Sequence, residues 1–323
     1  MRAFLFMIPH FTFTDLQDIS STAQGGRFAV NSSEHAFKWC EGIAKSHYEN
    51  FPVASLLLPN SIRQHVIIIY AFSRIADDIA DEYSMHFGAE KAEHALAIMH
   101  HFCKQAQMNV FKGNNPLWIA MQSMFEQTSL QIAPFERLLN AFASDLRFNI
   151  PNTIEDVFDY CHDSANPIGE LLLRLHGSWN DTIKYHADAL CTALQIINFI
   201  QDISIDRSKS RMYIPLEYFD SKEIVENYLA IGEITPNFST AITKYIHDAE
   251  ALLNTAKHLP WSITHKGLRT ELLLIHSSGS RMLKKCNKNL NRLSCYRPKL
   301  DIGDYILIAL EMFLHIPKIM LKR

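Results

Sequence analysis

Apolar residues recur along most of this chain at the three- and four-residue spacing of one α-helix face. The stretches VIIIYAFSRIA and ALQIINFI are typical of helices that are buried on most sides. Sustained alternation of apolar and polar residues, which marks a half-buried strand, is hard to find. The pattern therefore predicts a protein that is nearly all helix.

Proline, glycine and asparagine punctuate the helical pattern at segments such as KGNNP, NIPNT, SANP and YRPKL. Two long helices are predicted at roughly 61–82 and 181–203. Thr153 with Asp156 forms a variant of the capping box. The predicted helix starts are Ser32 or Ser33, Asn60 or Ser61, Asn115, Thr153, Asn180 and Ser221.

The chain has 323 residues, of which 48% are hydrophobic, so it can bury a large core. It shows no low-complexity linker, tandem repeat or shift in composition, which favours one domain. The helical pattern begins only near Ser32, so residues 1–31 are expected to form a variable extension, either disordered or the product of a mis-assigned start. Residues 32–323 are expected to form a single domain.

The formal net charge of -3 supplies no basic field for a phosphodiester polymer, so nucleic acid is not an expected partner. The six cysteines show no paired metal spacing and mostly lie in apolar runs. They are interpreted as reduced thiols, which predicts a cytoplasmic protein.

The C-terminal segment YILIALEMFLHIPKIMLKR is apolar but is interrupted by Glu311 and Pro317, which makes it a poor spanning helix. One interpretation is a last amphipathic helix packed on the core. The other is peripheral contact with the inner face of the membrane, with Lys318, Lys322 and Arg323 reaching the head groups.

A first acidic stripe lies in RIADDIADE. Arg74, Asp77, Asp78 and Asp81 stand at i, i+3, i+4 and i+7, so one helix face should present a cation followed by three carboxylates. Glu82 is expected to point away from that face.

A second stripe lies in QIINFIQDISID. Gln195, Asn198, Asp202 and Asp206 are spaced by three, four and four residues, which aligns them on one face of the other long helix.

A solvated helix face is the ordinary explanation for either stripe alone. The flanking residues argue against it, because like charges on a buried helix are costly without a metal ion or another partner. Oxygen ligands without His or Cys favour magnesium, which shares its coordination with substrate phosphates. Facing stripes of this kind could hold magnesium over a diphosphate, assist cleavage of the carbon to oxygen bond and leave a carbocation in an apolar cavity.

A basic segment follows the second stripe: DRSKSRMYIP carries Arg207, Lys209, Arg211 and Tyr213 in a predicted loop. It is either an ordinary surface loop or a segment that closes over the diphosphate.

Three motifs, YAFSRIADDIAD, YCHDSANPIGELL and LQIINFIQDISIDRSKSRMYIP, occur in the order and at the separation typical of one family. From about Ser32 to Leu300 the chain resembles the squalene and phytoene synthases. The resemblance implies an all-α isoprenoid synthase bundle with a central cavity between two aspartate-rich motifs. It also implies a prenyl diphosphate as substrate and Mg²⁺ as cofactor.

Carried over by position, the resemblance assigns the metal ligands and the groups that hold the diphosphate or contact the prenyl substrate. The implied metal ligands are Asp77, Asp78, Asp81, Asn198, Asp202 and Asp206. The implied substrate-binding residues are His47, Phe51, Tyr70, Arg74, Gln195, Arg211 and Tyr213.

Two positions depart from the family members that join two prenyl diphosphates: Glu49 stands where lysine is typical, and Gln201 where arginine is typical. Each lost charge-assisted hydrogen bond to diphosphate is worth about 1.5 to 3 kcal/mol. An enzyme that takes only one diphosphate tolerates both changes. With Asn166 and Pro167 in place of a glycine-containing turn, the chain resembles the bacterial hydroxysqualene synthase branch. Glu170 departs from that branch, where a basic residue is expected.

This branch implies magnesium-dependent ionisation of presqualene diphosphate, rearrangement of the cation and capture by water to give hydroxysqualene. The implied partners are a sister enzyme that supplies presqualene diphosphate and a flavoprotein that reduces the product in a hopanoid-type pathway. Glu49 and Asn50 are candidates for positioning the water, although a salt bridge explains Glu49 equally well. The catalytic set is then Asp77, Asp81, Asp202, Asp206, Glu49 and Asn50.

Two alternatives stay open. One is a condensing enzyme that makes presqualene diphosphate, squalene or phytoene. The other is a non-catalytic assembly factor with the same fold, against which the intact carboxylates of both motifs speak. The chain lacks a dinucleotide fingerprint, since Gly25 and Gly26 follow no predicted strand and lack a third glycine. That favours capture by water over reduction by NADPH.

Overall fold

The computed structural model describes residues 13–46 and 58–321. Within these ranges every regular element is helical, and no strand occurs. The predicted all-α fold is confirmed. The chain divides into two compact units, Met1–Arg147 and Phe148–Arg323. The prediction of one domain over 32–323 stays a prediction.

The first unit has seven α-helices in its described part, and a π-helical turn, Ile79–Tyr83, separates the third from the fourth. The helices are α1 (Phe13–Ser21), α2 (Ser33–Ser46), α3 (Asn60–Asp78), α4 (Ser84–Phe87), α5 (Ala89–Gln107), α6 (Pro116–Gln127) and α7 (Ala133–Asp145).

Helix α3 is anchored in the core of the first unit by aromatic packing. Phe72 is fully buried and lies edge to face with Trp118 on α6, at 6.3 Å between ring centroids, and with Phe135 on α7, at 5.2 Å. Such pairs stabilise by about 0.5 to 1.5 kcal/mol beyond the burial of their surface. This packing fixes the last turns of α3, where the first acidic stripe lies.

Asn115 joins α1 to α6. Its side-chain oxygen accepts from Leu117 N at 3.1 Å, as predicted for an N-cap. Its amide nitrogen donates to the carbonyls of Ile19, at 2.8 Å, and Thr22, at 3.0 Å. Of the predicted extension 1–31, residues 13–31 are described, and Ile19 is buried. The boundary at residue 32 is not tested by these contacts.

The second unit has nine α-helices among its described residues, with short 3-10 turns at Leu216–Tyr218 and Leu290–Arg292. The helices are α8 (Ile154–Ser164), α9 (Asn166–Leu175), α10 (Asp181–Gln201), α11 (Ile203–Ser208), α12 (Lys222–Ile231), α13 (Pro236–Ala256), α14 (Leu259–Ser262), α15 (Lys266–Lys288) and α16 (Ile302–Leu321).

Helix α10 runs through the core of this unit and carries the second acidic stripe. Asn180 caps its start by accepting from Ile183 N at 3.0 Å, as the sequence predicts. The predicted capping box of α8, Thr153 with Asp156, is also present. A Cβ added at Gly169 would lie 2.6 Å from Cys191 Sγ, which shows how closely α9 approaches α10.

All six cysteines have free thiols, and Cys295 is the exposed one. Among the residues that the structure describes, no helix combines the length and apolarity needed to cross a bilayer.

Candidate functional site

The first acidic segment is organised around Arg74 in the last turns of α3. The guanidinium forms an ion pair with the Asp78 carboxylate and lies 3.4 Å from Asp77 Oδ2. Burial opposes the charge of Arg74, but Asp78 and Asp77 outweigh it and raise the pKa of the guanidinium. Half-buried Tyr70, one turn earlier on α3, acts on Arg74 in the same direction. Arg74, Asp77 and Asp78, three of the four residues predicted to share this helix face, therefore do so, whereas Asp81 lies in the π-helical turn that follows.

The two adjacent aspartates differ in environment. The side chain of Asp78 is 6% exposed, whereas that of Asp77 is 45% exposed. Burial, with a smaller contribution from the neighbouring carboxylates Glu82 and Asp77, raises the pKa of Asp78 to about 7, although Arg74 lowers it. Arg74 thus holds Asp78 in the protein interior, while the side chain of Asp77 is partly exposed to solvent.

The chain changes from α-helix to a π-helical turn at Ile79, and this turn carries Asp81 and Glu82. A π turn adds residues to one turn of the helix and so rotates the following side chains relative to α-helical spacing. Glu82 Oε1 lies 4.0 Å from the Arg74 guanidinium. The prediction that Glu82 points away is wrong, because it assumed continuous α-helical geometry.

The second acidic segment crosses the junction between α10 and α11. Asp202 ends α10 with φ −100° and ψ 11°, yet backbone hydrogen bonds join Asp202 N to Asn198 O at 2.8 Å and Asp206 N to Asp202 O at 2.9 Å. Asn198, Asp202 and Asp206 therefore keep their four-residue helical spacing across the junction between α10 and α11. Asn198 is exposed, Asp206 is half-buried, and half-buried Gln195 begins the stripe on α10.

Sequence reasoning missed the partner of Asp202. Arg297 pairs with both carboxylate oxygens, and its Nη2 donates to Oδ2 at 3.0 Å. The neighbouring Gln201 is buried and donates from Nε2 to Pro298 O at 2.7 Å. Gln201, the last residue of α10, and Asp202, which follows it, thus bind one segment almost a hundred residues later. The motif YRPKL, which marks only a helix break by its proline, gives no signal of this pairing.

The two arginines of the basic segment after the second stripe, Arg207 and Arg211, lie in different environments. Arg207 lies in α11 rather than in a loop, and it donates to the carbonyls of Tyr228, Leu229 and Ala230 at 2.9, 3.2 and 3.0 Å. It therefore caps the C-terminal end of α12. The loop interpretation of Arg207 is wrong. Half-buried Arg211 is brought back beside Asp206 by a 2.9 Å bond from its backbone N to Asp206 O.

Tyr213 belongs to an aromatic group in the second unit. Its ring stacks on Phe199 of α10 at 3.9 Å and 4°, and it lies 4.9 Å from the Phe148 ring and 5.8 Å from the Tyr160 ring. Tyr213 is half-buried, so part of this aromatic group is exposed. In the sequence, Tyr213 closely follows the second acidic segment.

The unusual polar residues of α9 are satisfied inside the second unit. Buried Asn166 accepts from Thr192 Oγ1 of α10 at 3.1 Å. Buried Glu170 accepts from Arg174 Nε at 2.7 Å, so its departure from the expected basic residue is balanced by a neighbouring arginine. The predicted site residues His47, Glu49, Asn50 and Phe51 lie outside the described residues.

The donors of the two segments suit magnesium in kind. Asp77, Asp81, Asn198 and Asp206 offer oxygens on side chains that are partly or fully exposed. Within the described ranges, no three His, Cys, Asp or Glu side chains gather into a preformed metal group. Magnesium does not need such a cage, because it keeps waters and takes phosphate oxygens as ligands.

The order of motifs and the helical architecture can be compared with known proteins. Residues 44–303 match the model of the family described as squalene/phytoene synthase. The chain belongs to the squalene/phytoene synthase family. Members of this family process prenyl diphosphates and generally depend on magnesium.

Two curated relatives are similar over about three quarters of their own lengths. A hydroxysqualene synthase from Zymomonas mobilis is 29% identical over 228 residues, which is 70% of this chain and 75% of the relative. A hydroxysqualene synthase from Rhodopseudomonas palustris is 27% identical over 237 residues, 73% of this chain and 78% of the relative.

Among solved structures, the squalene synthase HpnC from Alicyclobacillus acidocaldarius has a TM-score of 0.72 and 30% identity. The match covers 80% of this chain and 95% of that chain. A dehydrosqualene synthase with bound ligand has a TM-score of 0.73 at 21% identity, over 88% of this chain and 98% of that one, which shows the shared fold alone.

Proposed function

We propose that this squalene/phytoene synthase family member is a hydroxysqualene synthase. It takes presqualene diphosphate, breaks the carbon to oxygen bond so that diphosphate leaves with the electron pair, rearranges the cyclopropylcarbinyl cation and adds water. The water loses one proton and leaves a hydroxyl on the product. The two relatives named hydroxysqualene synthase support this assignment.

The observation that carries the proposal is the environment of Gln201. Members that join two prenyl diphosphates typically have arginine at this position. Here the residue is glutamine, which carries no charge. Its side chain is buried, and its amide donates to Pro298 O within the second unit. A second diphosphate would therefore lack one of its usual cations, whereas a single diphosphate does not require it.

Magnesium, when bound, neutralises the diphosphate and makes it a better leaving group. Asp77 and Asp81 in the first segment, and Asn198 and Asp206 in the second, would hold it. Asp78 keeps Arg74 in place, and Asp202 binds Arg297. Arg74, Gln195 and Arg211 would bind diphosphate oxygens, and Tyr70 and Tyr213 would contact the prenyl chain.

Exclusion of water until the cation has rearranged would be a task of apolar and aromatic side chains. The stacked pair of Phe199 and Tyr213 is suited to it because both rings are largely apolar, and an aromatic ring face would also attract the carbocation. His47, Phe51, Glu49 and Asn50 stay predicted contributors on the basis of sequence.

The deciding experiment supplies purified protein and magnesium with presqualene diphosphate in one reaction and farnesyl diphosphate in another, both without NADPH. Mass spectrometry should find hydroxysqualene in the first reaction and no condensation product in the second. Turnover of farnesyl diphosphate would instead identify a condensing synthase. No product in either reaction, together with no magnesium binding in calorimetry, would favour a non-catalytic assembly factor.

A further inference from the structure

Helix α16 has its two acids and its histidine on the side that faces the protein. Its inward stripe consists of Asp304, Ile308, Glu311, His315 and Ile319, spaced by four, three, four and four residues. Ile308 and Ile319 are buried, and the three titratable side chains between and before them are half-buried. A surface helix ordinarily shows the reverse arrangement.

The opposite side of α16 is apolar and exposed from its first residue to Leu314. Phe313 and Leu314 are 70% and 75% exposed. Single exposed apolar residues are normal on a protein surface, but a contiguous face of them marks an interaction site. The large apolar residues of this face are Ile302, Tyr305, Ile306, Leu307, Leu310, Phe313 and Leu314.

The helix is fastened so that this face cannot simply turn inward. At its start, Lys285 of α15 pairs with Asp301 and Asp304. Near its end, fully buried Arg269 donates from Nη1 to Ile319 O at 3.1 Å. Asp304 and the Ile319 carbonyl thus hold α16 against α15, and the apolar face is presented as a fixed surface.

The charges of the helix fit an anionic lipid surface. Its two acids, Asp304 and Glu311, both lie on the inward stripe, and Lys285 neutralises Asp304. In the sequence, no acid follows Glu311, whereas three cations do: Lys318, Lys322 and Arg323. An apolar helix face with aromatic residues and nearby cations is the pattern of helices that lie in the plane of a bilayer interface.

We propose that the outward face of α16 docks on the surface of a bilayer that contains anionic lipid, with the helix parallel to the membrane. The occupant is the lipid itself, and the docking is independent of which prenyl diphosphate the protein processes. Helix α16 lies almost entirely after residues 44–303, which match the family model.

The test is cosedimentation of the full chain with vesicles of phosphatidylglycerol and phosphatidylcholine in a ratio of about 1 to 3. Wild type should sediment with them and bind vesicles of phosphatidylcholine alone much less. The double variant Phe313→Glu with Leu314→Glu should lower the partition coefficient by about tenfold or more, because it places two carboxylates in the docking face.

The matched control is Tyr185→Glu on α10. Tyr185 is also aromatic and is 65% exposed, but it lies far from α16 in the sequence, and its variant should bind vesicles like wild type. Circular dichroism checks that each variant is folded. The proposal is overturned if wild type stays in the supernatant, or if the double variant sediments like wild type. It is also overturned if light scattering shows a dimer that the double variant dissociates, since a second copy would then cover the face.

Discussion

Both acidic segments hold an aspartate against an arginine, but the arginine comes from a different part of the chain in each. In the first, Asp78 is held by Arg74, four residues earlier on the same helix. In the second, Asp202 is held by Arg297, from a segment that reaches α10 only through the tertiary fold. Each segment thus has one largely buried carboxylate held by an arginine, and other oxygen donors that are partly or fully exposed to solvent. The first arrangement is set by helix geometry, whereas the second requires the whole second unit to fold.

The largest expected effect comes from removing a partly exposed carboxylate in either segment, Asp77 or Asp206. Asp77→Asn and Asp206→Asn should each lower kcat/KM for the prenyl diphosphate by about 100-fold or more, because each removes charge that would hold magnesium at the leaving group. Steady-state kinetics over a magnesium titration measures this. Asp181→Asn, at an exposed acid in the first turn of α10, serves as control and should be near wild type. Equal activity in all three variants would refute the assigned ligands.

The buried acid of the first segment should make stability depend on pH. The pKa of Asp78 is raised to about 7 in the folded protein, above its ordinary value of 3.8. Between these values the folded state holds a proton that the unfolded state has lost, so the free energy of unfolding falls as pH rises. The fall from pH 5 to pH 7 should be about 2 to 3 kcal/mol.

Urea unfolding of wild type and Asp78→Asn at several pH values tests this contribution. The variant should lack it, so the difference between the two proteins should change with pH in that window. Parallel pH profiles for both proteins would show that Asp78 titrates in its ordinary range.

Breaking the long-range pair of the second segment should destabilise the protein. Arg297→Gln leaves the largely buried Asp202 carboxylate without its cation, at a cost of about 2 kcal/mol in the free energy of unfolding. Arg292→Gln is the control, because Arg292 is exposed and lies over the Tyr296 ring at 5.1 Å. Adding Asp202→Asn to Arg297→Gln should recover part of the loss. Additive losses in this double-mutant cycle would mean that the pair contributes no coupling.

The smallest expected change in stability comes from Arg207, which caps a helix, and it distinguishes Arg207 from Arg211, which is proposed to bind the substrate. Arg207→Gln should lower the free energy of unfolding by about 1 kcal/mol, because it weakens the cap on α12, and should leave KM for the prenyl diphosphate nearly unchanged. Arg211→Gln should instead raise KM with little loss of stability. Kinetics and urea unfolding of both variants measure the split, and a raised KM in Arg207→Gln would contradict the capping role.

The sequence predicts those features that depend on neighbours within a few turns. The helices that carry the acids, the caps at Asn115 of α6, Thr153 of α8 and Asn180 of α10, and the shared face of Arg74 with Asp77 and Asp78 all follow from local spacing. The family also follows from motif order, because several motifs together constrain the fold more than one does.

Features that depend on distant segments or irregular backbone could not be predicted in this way. Nothing in the pattern joins Arg297 to Asp202 across the fold, and nothing marks the π turn that brings Glu82 back toward Arg74. The amphipathic pattern of α16 is visible in the sequence, but which side faces the protein depends on Lys285 and Arg269 of α15.

The most direct test of the central claim is a single reaction with presqualene diphosphate and magnesium in water enriched in heavy oxygen. The product hydroxyl and the released diphosphate are then analysed together by mass spectrometry. Capture of the cation by water predicts that hydroxysqualene carries the heavy label and that one diphosphate is released for each product molecule. A hydroxyl without the label, or a product that forms without release of one diphosphate per molecule, would contradict the account.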